Sequence, residues 1–236
     1  MRIQVLFFGV LKDIVGAGSE VSEVSDGSTL GAIFESYAER FPRLREMERS
    51  ILFARNRAYE DRSVLASAGD EVAFLPPVSG GCGATSEIYE DGNYFALTRH
   101  VIDAHALKRK LLSGAEGAVV TFEGTVRNNT KGRRTRYLEY EAYEPMALQE
   151  MARIGREIAG SRPVCRIAIE HRLGRLLIGE TAVAIVVTAP HRRPAFEAAL
   201  EAIDRVKKIV PVWKKECFVD GEVWVEGEWP QDAQAG

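Results

Sequence analysis

Residues 3–10 form an almost unbroken apolar run (Ile3, Val5, Leu6, Phe7, Phe8, Val10), the pattern of a buried central strand, and residues 20–25 alternate as a hairpin partner does. The period then changes. After the Asp26-Gly27 turn, with Ser28 or Thr29 placed to cap, Leu30, Ile33, Phe34, Tyr37 and Phe41 recur at helical spacing until Pro42 stops the run. Residues 50–55 and 71–75 supply two more short strands. Residues 82–94 are small and polar and read as a linker. Beyond them the pattern predicts a strand starting at 95–97, a helix at 103–112 ending at Ser113-Gly114, and strands at 117–126 and 137–143. A helix at 145–158 follows, with Met146, Leu148, Met151, Ile154 and Ile158 on one face. Strands at 164–171 and 182–189, a helix at 194–208, and strands at 212–219 and 222–225 complete the series.

The fold class this predicts is α+β in two parts. Strand, strand, helix, strand, strand is the layout of a ubiquitin-like β-grasp domain, here residues 1–81. In that layout the last strand is central and its end projects as a tail, Pro76-Pro77-Val78-Ser79-Gly80-Gly81. Two glycines carry no side chains, so such a tail can enter a channel closed to other residues and present its carbonyl carbon there. The same stretch also reads as a Pro/Gly hinge. A thirteen-residue linker over 82–94 can span roughly 40 Å. Residues 95–230 predict an α+β domain of mostly antiparallel sheet with helices, and 231–236 a short tail.

Composition narrows the partners. Residues 1–82 hold 9 Lys+Arg against 12 Asp+Glu, and the rest 22 against 22, so neither half is a general nucleic-acid scaffold. No apolar stretch reaches the length of a membrane span, and Met1 leads straight into a strand pattern; a cytoplasmic protein with no membrane partner is expected. The three cysteines, Cys82, Cys165 and Cys217, and the histidines His100, His105 and His171 have no metal-ligand or disulfide spacing, so no metal is expected.

Candidate chemistry lies in the second part. Where Ala189-Pro190 ends a strand and Pro194 begins a helix, His191, Arg192 and Arg193 stand at a helix N-terminus, a place suited to phosphate. A solvated basic loop is the alternative. Pro211 ends the same helix and turns the chain back, so that Lys207 and Lys214 can converge on one cleft. A lysine in a partly desolvated, cation-rich place has its pKa lowered, which suits a base or nucleophile. Ordinary solvated lysines fit these residue types equally. Arg127, at a strand end after Phe122, can join His191 and Arg192 around an anion or sit at the surface. The basic run from Lys131 to Arg136 lacks interleaved aromatics and reads as a solvated loop, not an RNA site.

Residues 1–81 resemble the small, sulfur-carrying subunit of molybdopterin synthase, ending in its Gly-Gly. Residues 95–230 resemble the large, catalytic subunit, through 117–127 (Gly-Ala-Val-Val-Thr-Phe-Glu-Gly-Thr-Val-Arg), 138–147 (Leu-Glu-Tyr-Glu-Ala-Tyr-Glu-Pro-Met-Ala), His171-Arg172-Leu173-Gly174, His191-Arg192-Arg193, and Lys207 through Pro211-Val212-Trp213-Lys214-Lys215-Glu216. The resemblance implies that Gly81 is adenylated by a ubiquitin-activating-like adenylyltransferase and converted to a thiocarboxylate. Its sulfur then passes to cyclic pyranopterin monophosphate, and two deliveries build the dithiolene. It implies that Arg127, His191 and Arg192 hold phosphate and pterin, that Phe122 lines the pocket, that Lys207 acts beside the incoming Gly81, and that Lys214 supports the intermediate's charge. It also implies a homodimer whose interface completes each pocket, and no cofactor beyond substrate and sulfur donor. Because Cys82 follows Gly81 by a peptide bond, a processing protease is expected to cut between them. The competing expectations are a non-enzymatic ubiquitin-like sulfur carrier for another thiolation pathway with a docking domain, and an inactive fusion with a buried tail.

Overall fold

The computed structural model describes residues 1–76 and 86–225. The Gly80-Gly81 tail, the Gly81–Cys82 bond and residues 231–236 lie outside the described residues. Those described form two compact units, residues 1–76 with Trp224 and Val225 in one and residues 86–223 in the other.

In the first unit β1 (Arg2–Phe7), α1 (Gly9–Val15), β2 (Ser19–Glu23), α2 (Leu30–Arg40), a 3-10 helix (Pro42–Ser50), β3 (Leu52–Arg55), β4 (Ala58–Glu60) and β5 (Glu71–Leu75) follow in order. The sheet order is β2-β1-β5-β3-β4, with β5 parallel to β1 and central. Thr29 caps α2, its hydroxyl oxygen accepting from the Ala32 amide at 3.1 Å. Leu30, Ile33, Phe34 and Tyr37 are buried beneath it, where the Phe34 ring meets the Phe74 ring edge-on at 5.2 Å. The expected strand over 3–10 is shorter than its apolar run. Gly9 adopts a φ of 50°, turning the chain into α1, and Leu11 buries itself instead.

The second unit opens with β6 (Ser86–Glu90), β7 (Asn93–Thr98), α3 (Ala104–Leu111) and β8 (Ala118–Thr125). Then come β9 (Asn129–Thr130), β10 (Arg133–Ala142), α4 (Glu144–Ser161), β11 (Arg166–Arg172) and β12 (Gly174–Leu177). It closes with β13 (Thr181–Ala189), α5 (Arg192–Ile209), β14 (Val212–Phe218) and the first three residues of β15 (Gly221–Val225). The linker expected over 82–94 is therefore corrected: residues 86–90 pair antiparallel with β7, Ile88 opposite Phe95, and Ile88 packs on the core. One sheet runs β6-β7-β11-β13-β8, antiparallel except for β7 beside β11; the other runs β12-β10-β14-β15. The first of these is covered on both faces. Phe95 and Leu97 of β7 face the core shared with α4 and α5, while Tyr94 and Ala96 face α3, the two-residue alternation of a strand. This is why β13 is buried along almost its whole length. No helix among the described residues is long and apolar enough to cross a membrane.

Candidate active site

β13 and β8 run antiparallel from Thr181 opposite Thr125 to Ala189 opposite Ala118. Two residues past Ala189 the chain enters α5, which packs back over both strands. The helix start therefore lies at the Ala118 end and its last turn at the Thr125 end, and the candidate residues divide between the two.

At the start, His191 is the N-cap residue in extended conformation and makes no side-chain capping bond. Arg193 donates to Glu197 at 2.7 Å. His191 and Arg192 are exposed and have no ion pair among the described residues. Two unpaired cationic or cation-capable side chains beside a first helical turn with open N–H groups can receive an anion.

At the other end, Lys207 is exposed in the last turn, with no ion pair among the described residues. Ile209 and Val212, just beyond it, pack on the same core as Phe122 and Tyr140. Phe122 is half-buried on β8 opposite Ile185. Arg127 stands two residues past β8, exposed. On the second sheet Tyr140 lies opposite Lys214, and Lys214 Nζ is 2.8 Å from Glu216 Oε1. The Glu216 side chain is only 2% exposed, and its Oε2 is buried with no hydrogen-bond partner. The Tyr140 ring meets the His171 ring edge-on at 5.1 Å.

Burial pushes the Tyr140 phenol above its ordinary range, with the Glu216 charge adding to the shift and Arg127 opposing it. Burial also holds His171 down at about 4, against a bond to the Arg172 carbonyl that works the other way. That carbonyl lies 2.9 Å from Nδ1. Since a carbonyl only accepts, the neutral ring carries its proton on Nδ1.

Lys214 is paired with the buried Glu216 carboxylate, and the charge of Arg127 acts on the Tyr140 phenol opposite it. Arg127 lies at the other end of β8 from His191 and Arg192. From His191 to Lys207 the helix rises about 24 Å at 1.5 Å per residue, and the length of β8 separates His191 from Arg127. Gly81 lies outside the described residues. Tyr140, His171 and Glu216 were not among the residues chosen from the sequence. Glu216 was detectable, because a residue two places from Lys214 on a strand shares its face; the Tyr140–His171 contact joins two sheets and leaves no local trace.

Comparison with known proteins adds the family. The model of the MoaE protein matches residues 97–209, and that of the ThiS family matches residues 5–81, ending on the second glycine of the tail. The molybdopterin synthase catalytic subunit of Bacillus subtilis is 50% identical over 131 residues, covering 56% of this chain and 83% of that relative. That of Staphylococcus carnosus is 51% identical over 131 residues, 56% of this chain and 87% of the relative. The crystal structure of molybdopterin synthase from Staphylococcus aureus is 44% identical, with a TM-score of 0.52, over 55% of this chain and 94% of that one. The chain belongs to the family of molybdopterin synthase catalytic subunits, with a ThiS-family sulfur-carrier domain fused ahead of it.

Proposed function

We propose that this chain makes both halves of a molybdopterin synthase, its first unit presenting sulfur on Gly81 and its second transferring that sulfur to cyclic pyranopterin monophosphate. The observation that carries this is the junction: the carrier match ends at Gly81, and the catalytic match begins sixteen residues later on the same chain. Sulfur becomes bonded to a substrate carbon as a carbon–oxygen bond at that carbon breaks, the acyl–sulfur bond to Gly81 is broken by water, and Gly81 returns as a carboxylate. Arg127, Lys207 and Lys214 attend this reaction at one end of the catalytic unit, with Phe122 lining the pocket.

His191 and Arg192 serve the same reaction from a second copy. Their separation from Lys207 within one chain supports a two-fold homodimer in which each pocket takes phosphate contacts from the partner. A peptide carbonyl cannot be adenylated as a carboxylate can, so a protease cuts between Gly81 and Cys82 before an adenylyltransferase acts. Intact mass of the chain purified from a host with a complete cofactor pathway tests this. Two fragments, the smaller ending at Gly81 and partly heavier by exchange of oxygen for sulfur, are expected. A single uncut species that nonetheless turns over would sink the processing step; a cut protein inactive on cyclic pyranopterin monophosphate would sink the synthase assignment.

A further inference from the structure

We propose that Tyr140 is a substrate-orienting residue, its hydroxyl hydrogen-bonding a neutral polar edge of the pterin while the surrounding cations take the phosphate. The inference rests on the synthase reading above. The ring is held from behind: it packs against two groups of buried apolar residues, one containing Ile185 and Val206, the other Val126, Leu138 and Leu176, and its face or edge is set by His171 at 5.1 Å and an interplanar angle of 67°. The hydroxyl is different. It has no hydrogen-bond partner among the described residues, although burial is what raises the phenol above its ordinary range. A buried tyrosine hydroxyl ordinarily finds a partner.

The hydroxyl lies near the groups already placed in the site. Lys214 is directly opposite on β14, and the charges of Glu216 and Arg127 both act on the phenol. One oxygen of Glu216 is engaged by Lys214 and its carboxylate is buried, while Tyr140 offers a neutral hydroxyl at this end. Burial keeps the phenol protonated, a donor as well as an acceptor. A phosphate is served by cationic side chains such as Arg127 and the partner copy's Arg192; a carbonyl or ring nitrogen of the pterin is served by a neutral donor.

The test is Tyr140→Phe in the processed protein, with KM and kcat for cyclic pyranopterin monophosphate and the inhibition constant of inorganic phosphate measured side by side. KM should rise about tenfold, the loss of one neutral hydrogen bond, while kcat stays within twofold and phosphate inhibition is unchanged. Unaltered KM, a loss confined to kcat, or equal weakening of substrate and phosphate would each overturn the proposal. A wild-type protein that shows no turnover overturns the synthase reading itself, and this with it. If the variant unfolds at lower temperature, tyrosine Cζ-labelled wild-type protein gives the same answer. One of its seven tyrosine resonances should move on adding substrate but not on adding phosphate, and a spectrum that does not move counts against the assignment.

Discussion

Lys214 and Glu216 share one face of β14, joined at 2.8 Å, with the Glu216 side chain buried and the Lys214 side chain 30% exposed. The two ends of this pair are therefore unequal. Removing Lys214 strands a carboxylate in the interior, one of whose oxygens already lacks a partner; removing the charge of Glu216 leaves an ammonium that can still reach water. Lys214→Met should cost roughly 2 kcal/mol of unfolding free energy, below the full range for a broken buried pair because Lys214 is partly exposed. Glu216→Gln should cost less than about 1 kcal/mol, while lowering sulfur transfer about tenfold through loss of lysine positioning. Denaturant titration with turnover on each variant checks both. Equal destabilisation by the two substitutions would contradict the asymmetry.

His171 makes the second unit sensitive to acid. Its folded pKa lies near 4, against about 6.5 when unfolded. Between those values the unfolded chain binds a proton that the folded chain does not, so stability rises with pH across this window and the contribution is flat above it. Acidification from pH 6.5 to 4 should remove roughly 3 kcal/mol, an order-of-magnitude figure from the difference in pKa. His171→Leu should abolish that component of the slope. Parallel stability curves for the two proteins across the window would show that the ring is not the acid-sensitive group.

Periodicity carried most of the fold because each element's burial repeats locally: α4 and α5 show their apolar stripes residue by residue, and β5 ends where its apolar run ends. The departures have local causes. α1 was hidden inside an apolar run that Gly9 interrupts, and β6 is a polar edge strand whose one core contact, Ile88, is outnumbered by serine, glutamate and tyrosine. In the site, lysines, arginines and His191 were legible as residue types beside a helix end or turn. What joins them was not, because β10, β14 and β11 meet only through pairings between distant segments.

Gly155 lies where α4 packs tightly against the sheet. A Cβ there would run into the Phe95 ring and press on Ile167 at 3.2 Å. Alanine favours a helix interior over glycine by about 1 kcal/mol, but an added methyl group against a packed aromatic costs about 1–3 kcal/mol. Overpacking should win, so Gly155→Ala should lower the unfolding midpoint. The control is Gly160→Ala on the same helix, where nothing lies within 4 Å, and it should hold or raise the midpoint. A stabilised Gly155→Ala protein would mean that Phe95 has room to move.

The separation of His191 from Lys207 along α5 predicts how defective chains behave together. If each pocket takes His191 and Arg192 from one copy and Lys207 and Lys214 from the other, His191→Ala and Lys207→Ala homodimers are both inactive. After subunit exchange, half of the dimers are mixed, and each mixed dimer holds one pocket with both residues intact and one with neither. Random reassortment of a two-fold dimer should therefore restore about a quarter of wild-type activity. Mixing Lys207→Ala with Lys214→Ala should restore nothing at this level, because both residues belong to the same copy's contribution to a pocket. Activity of the two mixtures is compared after unfolding and refolding together. No recovery in the first mixture would refute the shared pocket; recovery in both would place Lys207 and Lys214 in different copies' contributions and overturn the grouping drawn from the helix and strand geometry.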